Sequence, residues 1–168
     1  MITSIVDYLT YTFIPLLLVW RLQWLPPPAG LWVTAAMIAS LFGFANTDSK
    51  QEDGFFLGFP SYWNVYAFYA GVWFTHHGPY VPAIVLGLLT VLTVLPVRFA
   101  YPNLLPQPWR GLLTGAAVVW LGMLLLILPS YPAALAWLEW LSLSYPGLYI
   151  VLSIYLDVAA RLRRRHPA

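Results

Sequence analysis

The chain contains no cysteine, which excludes disulfides, thiolate metal sites and a cysteine nucleophile. Charge is almost as scarce. Asp, Glu, Lys and Arg make up 8% of the 168 residues, hydrophobic residues make up 61%, and mean hydropathy is +0.74. A soluble domain carries about 25% charged residues, so this chain cannot cover a surface that faces water. Composition implies an integral membrane protein. Its length suits one membrane domain over residues 1–168 with no separate soluble one. A formal charge of +2 is too small to imply nucleic acid as a partner. No basic stretch precedes the first apolar run, so a cleaved signal peptide is not expected. A Gly-rich phosphate loop, a Ser-His-Asp pattern and an internal repeat are also missing.

What is present is a series of apolar segments. They run roughly over 8–25, 30–45, 62–77, 80–100, 111–129 and 146–161. The sequence therefore predicts an all-α fold: a polytopic transmembrane helix bundle of about six spans. Pro82 and Pro96 should kink the fourth segment or mark its ends. Residues 130–145 hold Trp137 and Trp140 with one acid, which suits a short helix lying in the interface. Small residues recur at helical spacing in Ala35, Ala39 and Gly43, and in Gly111 and Gly115. Such faces serve close packing within the chain or a homodimer seam.

Lys and Arg set the orientation. With six spans, Lys50, Arg98, Arg110, Arg161, Arg163, Arg164 and Arg165 share one side with both termini, and only Arg21 lies on the other. That bias places the termini in the cytoplasm. Trp20, Trp24, Trp32, Trp73, Trp137 and Trp140 gather near the opposite interface, as an aromatic belt would. The C-terminal RLRRRH can also meet anionic headgroups of a phospholipid membrane.

Candidate chemistry is concentrated in a few places. Asp48, Lys50, Glu52 and Asp53 fall within six positions of one loop, directly before GFFLGFPSYWN. The loop is not a calcium-binding EF-hand. Counted from Asp48, the sixth position is Asp53 rather than Gly, and the twelfth is Phe59 rather than Glu. Asp7 opens the first apolar segment, where it can cap a helix N-terminus or act as a functional carboxylate. Tyr8, Tyr11, Tyr62, Trp63, Tyr66 and Tyr69 begin at the cytoplasmic face. They can form an interfacial belt and core, or a cage for a quaternary ammonium. His76 and His77 are adjacent, so on a helix their side chains diverge by about 100°. They read as polar residues at a helix end rather than as ligands of one metal.

IVDYLTYTFIP, DGFFLGFPSYWNVYAFY and PVRFAYPN together resemble the bacterial phosphatidylcholine synthases, which belong to the CDP-alcohol phosphotransferases. The resemblance runs from Ile5 to near the C-terminus and corresponds to the C-terminal part of those enzymes. It implies a bacterial inner (cytoplasmic) membrane protein of phospholipid synthesis that joins CDP-diacylglycerol to choline and releases CMP. The family signature reads D-x-x-D-G-x-x-A-R, then, after a short spacer, G-x-x-x-D-x-x-x-D. Its aspartates hold two divalent metals, manganese or magnesium, and the last is the base for the alcohol.

By this resemblance Asp7 is the catalytic base and one metal ligand. Tyr8, Tyr11, Asp48, Lys50, Asp53, Tyr62 and Asn64 are the substrate-binding set. Thr3 stands where the preceding aspartate is expected, and D-x-x-D-G-x-x-A-R does not occur. One carboxylate cannot hold two metals, so the resemblance implies a chain that binds no metal pair alone and is inactive alone. The alternative is a non-catalytic membrane subunit that binds lipid or stabilises a larger complex. The charge bias makes a direct prediction about topology. Cysteines introduced at Ser49 and at Pro27 should react with impermeant reagents from opposite sides of the membrane. Labelling from one side only would overturn the six-span arrangement.

Overall fold

The computed structural model describes residues 2–45, 55–100, 105 and 107–165. Helix dominates. In chain order the helices are α1 (Ile2–Tyr8), α2 (Ile14–Arg21), α3 (Ala29–Ala45), α4 (Trp63–His77), α5 (Tyr80–Val94), α6 (Trp109–Ile127), α7 (Ala136–Ser142) and α8 (Ser144–Arg165). A π-helical turn, Leu9–Phe13, joins α1 to α2, and the Ile14 N–H reaches back to the Leu9 carbonyl. Its cause is local. Pro15 has no N–H to give, and its ring crowds the carbonyl four residues back, so the wider turn accommodates it.

The expected all-α fold needs one correction. Two short strands, β1 (Phe55–Leu57) and β2 (Arg98–Ala100), pair antiparallel with Phe56 opposite Phe99. The segment expected to run from 80 to 100 as one helix stops at Val94. Pro96 explains the stop, because a residue before proline is driven out of the helical region, and Leu95 is extended at φ −70°, ψ 143°. The ribbon then closes the end of α5. Phe59 N–H donates to the Leu92 carbonyl at 3.0 Å and Gly58 N–H to the Val97 carbonyl at 2.7 Å. Gly58 has φ +84°, and a Cβ there would lie 2.5 Å from the Thr93 carbonyl oxygen, so only glycine fits.

One core joins α2, α3, α4 and α5. Leu16 and Val19 meet Val33 and Ala36, Trp63 and Ala70, and Ala83 and Leu86. Trp63 Nε1 donates to Ser40 Oγ at 2.6 Å, which fixes the start of α4 against the end of α3. The later helices attach through Val72, Ile127, Ala134 and Leu138. Tyr131 seals this seam. Its hydroxyl donates to the Phe68 carbonyl at 3.2 Å, and Gly71 leaves the space that the hydroxyl occupies. Burial pushes the Tyr131 phenol up to about 12, so it remains a donor at physiological pH.

Apolar side chains also lie on the outside. Ile84, Leu88, Val118, Leu125, Leu126, Val151 and Val158 are all exposed, a pattern that suits hydrocarbon around the bundle rather than water. Two stretches, Trp109–Ser130 and Ala136–Ala159, are long and apolar enough to cross a membrane. Ala29–Ala45 and Tyr80–Val94 are apolar but shorter. At 1.5 Å per residue, 15–17 residues reach about 23–26 Å, short of a core about 30 Å thick. Residues 130–145, expected to hold an interfacial helix, contain α7, which runs into α8 within the Ala136–Ala159 stretch. In α7, Trp137 and Trp140 face outward, while Glu139 is buried. Trp20 and Trp32 are exposed as a belt requires, but Trp24 is part of the core and Trp73 lines a cavity.

The most demanding contact lies at the ribbon. Arg98 Nη1 is 3.4 Å from Asp157 Oδ1, both side chains are about nine-tenths buried, and the guanidinium sits 4.5 Å from the Phe55 ring centroid. Removing one partner of a buried pair costs about 3–5 kcal/mol, whereas replacing both with apolar groups is often neutral. Arg98→Met and Asp157→Leu should therefore each lower the thermal midpoint strongly in detergent. The double variant should recover most of the loss. Single variants as stable as the parent would show that the pair does not anchor the ribbon.

Candidate functional site

The face of α4 that turns toward α5 and α8 is aromatic. Tyr62, Val65, Tyr66, Tyr69 and Trp73 recur at helical spacing and line a cavity of about 350 Å³. Val85 and Leu89 of α5, Trp120 of α6, and Tyr145, Tyr149 and Ile150 of α8 complete its walls, with Phe59 at the ribbon end. None of these lining residues carries a formal charge.

Three of the tyrosine hydroxyls at the cavity are tied to backbone and side-chain partners. Tyr66 donates to the Pro82 carbonyl at 2.9 Å, and Tyr149 donates to the Ala100 carbonyl at 3.0 Å. Tyr69 donates to Ser142 Oγ at 2.9 Å and accepts from Trp120 Nε1 at 3.0 Å. Ser142 in turn donates to the Glu139 carbonyl at 2.8 Å. Rings are held by each other as well. Tyr69 stacks on Trp73 at 5.5 Å and Trp120 on Tyr145 at 5.1 Å between centroids. The cavity therefore presents fixed ring faces and apolar edges. None of the lining residues is Asp, Glu, His, Lys or Arg, and an aromatic, apolar lining of this kind suits binding.

The structure treats the sequence-predicted residues unequally. Tyr62 lines the cavity, together with Tyr66 and Tyr69. Tyr8 does not; its hydroxyl donates to the Met37 carbonyl at 3.2 Å and its ring packs edge-on against Phe44. Tyr11 is exposed, as is Asn64 on the first turn of α4. Trp63 is wholly buried and tied to Ser40. Asp48, Lys50 and Asp53 lie outside the described residues. Asp7 is half-buried on α1, one residue before the helix gives way to the π-helical turn. In that turn the Thr12 hydroxyl is buried without a hydrogen-bond partner among the described residues.

Among the described residues, no group of three or more His, Asp or Glu side chains includes Asp7. A single carboxylate does not supply the oxygen donors that two divalent cations require. The described surroundings of Asp7 thus do not fit the paired metals that the family resemblance implies.

A different cluster appears at the other end of α4. His76 Nδ1 is 2.8 Å from Glu139 Oε2, and the ligand atoms of His76, His77 and Glu139 all lie within 4.8 Å of one another. The expected divergence of the two histidines does not keep them apart. Their Cα atoms are only about 3.8 Å apart, and the long imidazoles of the last helical turn can both reach a carboxylate that approaches from α7. Composition gives no sign of this, because a single acid in a short Trp-containing helix does not reveal which way it faces. Tyr145 and Tyr149 were also missed, although their four-residue spacing before Ser153 marks an inward helix face.

No protein-family model matches the chain, and no solved structure matches it. Curated proteins do. A phosphatidylcholine synthase of Legionella bozemanae is 33% identical over 162 residues, which cover 92% of this chain and 74% of that protein. The phosphatidylcholine synthase of Legionella pneumophila is 33% identical over 162 residues, covering 92% of this chain and 63% of that protein. That of Pseudomonas aeruginosa is 36% identical over 132 residues, covering 78% and 54%. This chain therefore spans between about half and three quarters of the length of these relatives. With this agreement along nearly its whole length, the chain belongs to the phosphatidylcholine synthase family.

Proposed function

We propose that the chain works in phospholipid synthesis at the bacterial inner membrane, in the transfer that joins CDP-diacylglycerol to choline. The six-span arrangement with cytoplasmic termini is part of this reading, supported by the bias of Lys and Arg toward one side. The observation that carries the functional reading is the aromatic cavity along α4. The hydroxyls of Tyr66, Tyr69 and Tyr149 are engaged by protein partners, which leaves their ring faces for a ligand. Such faces attract a trimethylammonium group by cation–π interaction, worth about 0.5–2 kcal/mol per ring. The apolar remainder of the cavity suits an acyl chain. Choline and its lipid product share that chemistry.

In this reading Asp7 removes the choline hydroxyl proton, which needs a carboxylate within hydrogen-bond reach of the alcohol. Asp48, Lys50 and Asp53 meet the polar headgroup, and Tyr62 meets the ammonium. Tyr8, held against α3, positions Asp7 rather than touching substrate. The metal-binding aspartates have to come from a segment that carries D-x-x-D-G-x-x-A-R.

The test uses purified protein with CDP-diacylglycerol, choline and manganese. The 168-residue chain alone should release no CMP. Co-expressed with a segment carrying D-x-x-D-G-x-x-A-R, it should form phosphatidylcholine, and Asp7→Asn should abolish that activity. In the active pair, Tyr62→Ala and Tyr66→Ala should raise the choline KM by roughly 2- to 30-fold, the range set by one cation–π contact. Metal-dependent CMP release by the chain alone would overturn the division of labour. Failure of the pair to make a choline lipid would overturn the assigned reaction in favour of a subunit without catalysis.

A further inference from the structure

We propose that His76, His77 and Glu139 form a site for a divalent transition metal of the zinc class, separate from the Asp7 end of the bundle. The separation follows from α4. Trp63 and Ser40 mark the end of this helix beside the C-terminal part of α3, where Tyr8 also packs. The histidines close the opposite end, about 20 Å away at 1.5 Å per residue.

Two independent features point to a cation. The first is the donor set. Two imidazoles and one carboxylate gather from α4 and α7, with ligand atoms within 4.8 Å of one another. Zinc holds nitrogen and oxygen ligands at about 2.0–2.2 Å in a tetrahedron, which leaves them about 3.4 Å apart. His76 and Glu139 are already closer than that at 2.8 Å. His77 is exposed, so a torsional adjustment at the surface brings it in.

The second feature is the state of Glu139. The residue is 1% exposed, and its Oε1 has no hydrogen-bond partner among the described residues. A carboxylate removed from water needs a full set of compensating contacts, yet the only contact to this carboxylate among the described residues is His76, on Oε2. A metal between the three side chains would replace the proton shared by His76 and Glu139 and neutralise the buried charge. Water would fill the remaining position. Two imidazoles and a carboxylate suit zinc, and oxygen-preferring magnesium or calcium would be poor occupants.

The site would join α7 to the last turn of α4, residues that are 62 positions apart in the chain. A bond there ties the α6–α8 group to the α2–α5 core at the rim of the seam sealed by Tyr131. Its role is that of a staple, and the inference does not depend on the choline chemistry.

The test is zinc binding by the full chain, purified in detergent with an affinity tag free of histidine and stripped with chelator. The chain has only three histidines, His76, His77 and His166, so assignment is direct. Titration with zinc chloride should give about one equivalent per chain and raise the thermal midpoint. Cobalt chloride should give the visible absorption of a low-symmetry site. His77→Ala leaves the His76–Glu139 contact in place, so it should fold like the parent without metal while losing both the stoichiometric binding and the thermal shift. His166→Ala should keep both. Glu139→Gln should also lose binding. No stoichiometric zinc in the parent, or binding and stabilisation unchanged in His77→Ala, would overturn the proposal.

Discussion

A charged pair inside an apolar bundle is the constraint on which most of the remaining architecture rests. Arg98 and Asp157 come from β2 and α8 and meet where little water reaches them. Neither charge is tolerable alone in such a place. Their pairing forces β2 against α8, and β1 follows because it is paired to β2. With the ribbon in place, Phe59, Phe99 and Tyr149 pack as one cluster. Ser153 Oγ accepts from the Ala100 N–H at 3.2 Å, which fixes the same junction a second time. The ribbon end of the aromatic cavity is therefore held by an ion pair on the ribbon itself.

The cavity shows a second principle. Tyrosine is amphipathic, and a buried phenol needs a hydrogen-bond partner. Here Tyr66, Tyr149 and Tyr69 find it in the Pro82 and Ala100 carbonyls and in Ser142. What remains toward the ligand is the quadrupole of the rings. The same residues thus meet the demands of a low-dielectric interior and leave an aromatic, apolar lining. Rigidity comes with it, because Trp120, Tyr69 and Ser142 hold one another in series.

Much of the helical skeleton was legible in the sequence. Residues 62–77 and 111–129 read as helices from uninterrupted apolar runs, and the structure places α4 and α6 there. DGFFLGFPSYWN and IVDYLTY carried the family, which the relatives bear out. The ribbon was not legible. Three-residue strands are too short to show a period, and their partners are about forty positions apart. Trp24 and Trp73 fit a belt by sequence because a tryptophan near a helix end looks the same whether it faces lipid or core. The burial of Glu139 is not legible for a similar reason. The direction of one acid on a seven-residue helix depends on what packs beneath it, and that is a tertiary fact. Tyr8 and Tyr62 looked alike in composition, yet only Tyr62 reaches the cavity, because α1 packs against α3 rather than beside α8.

The π-helical turn after α1 has a consequence for Asp7 that concerns phase. A residue added to a regular helix rotates everything before it by about 100° relative to everything after it. The Leu9–Phe13 turn inserts such a slip between the carboxylate and the core-facing Leu16 and Val19. The compass bearing of Asp7 is thus set by a helical clock that Pro15 keeps wound open. Were Pro15 exchanged for a residue with an N–H, the helix could close to a regular pitch. The carboxylate would then swing to another quadrant while its own identity stayed intact. A position two turns away, lacking any reactive atom, would then displace the carboxylate as thoroughly as a substitution at Asp7 itself.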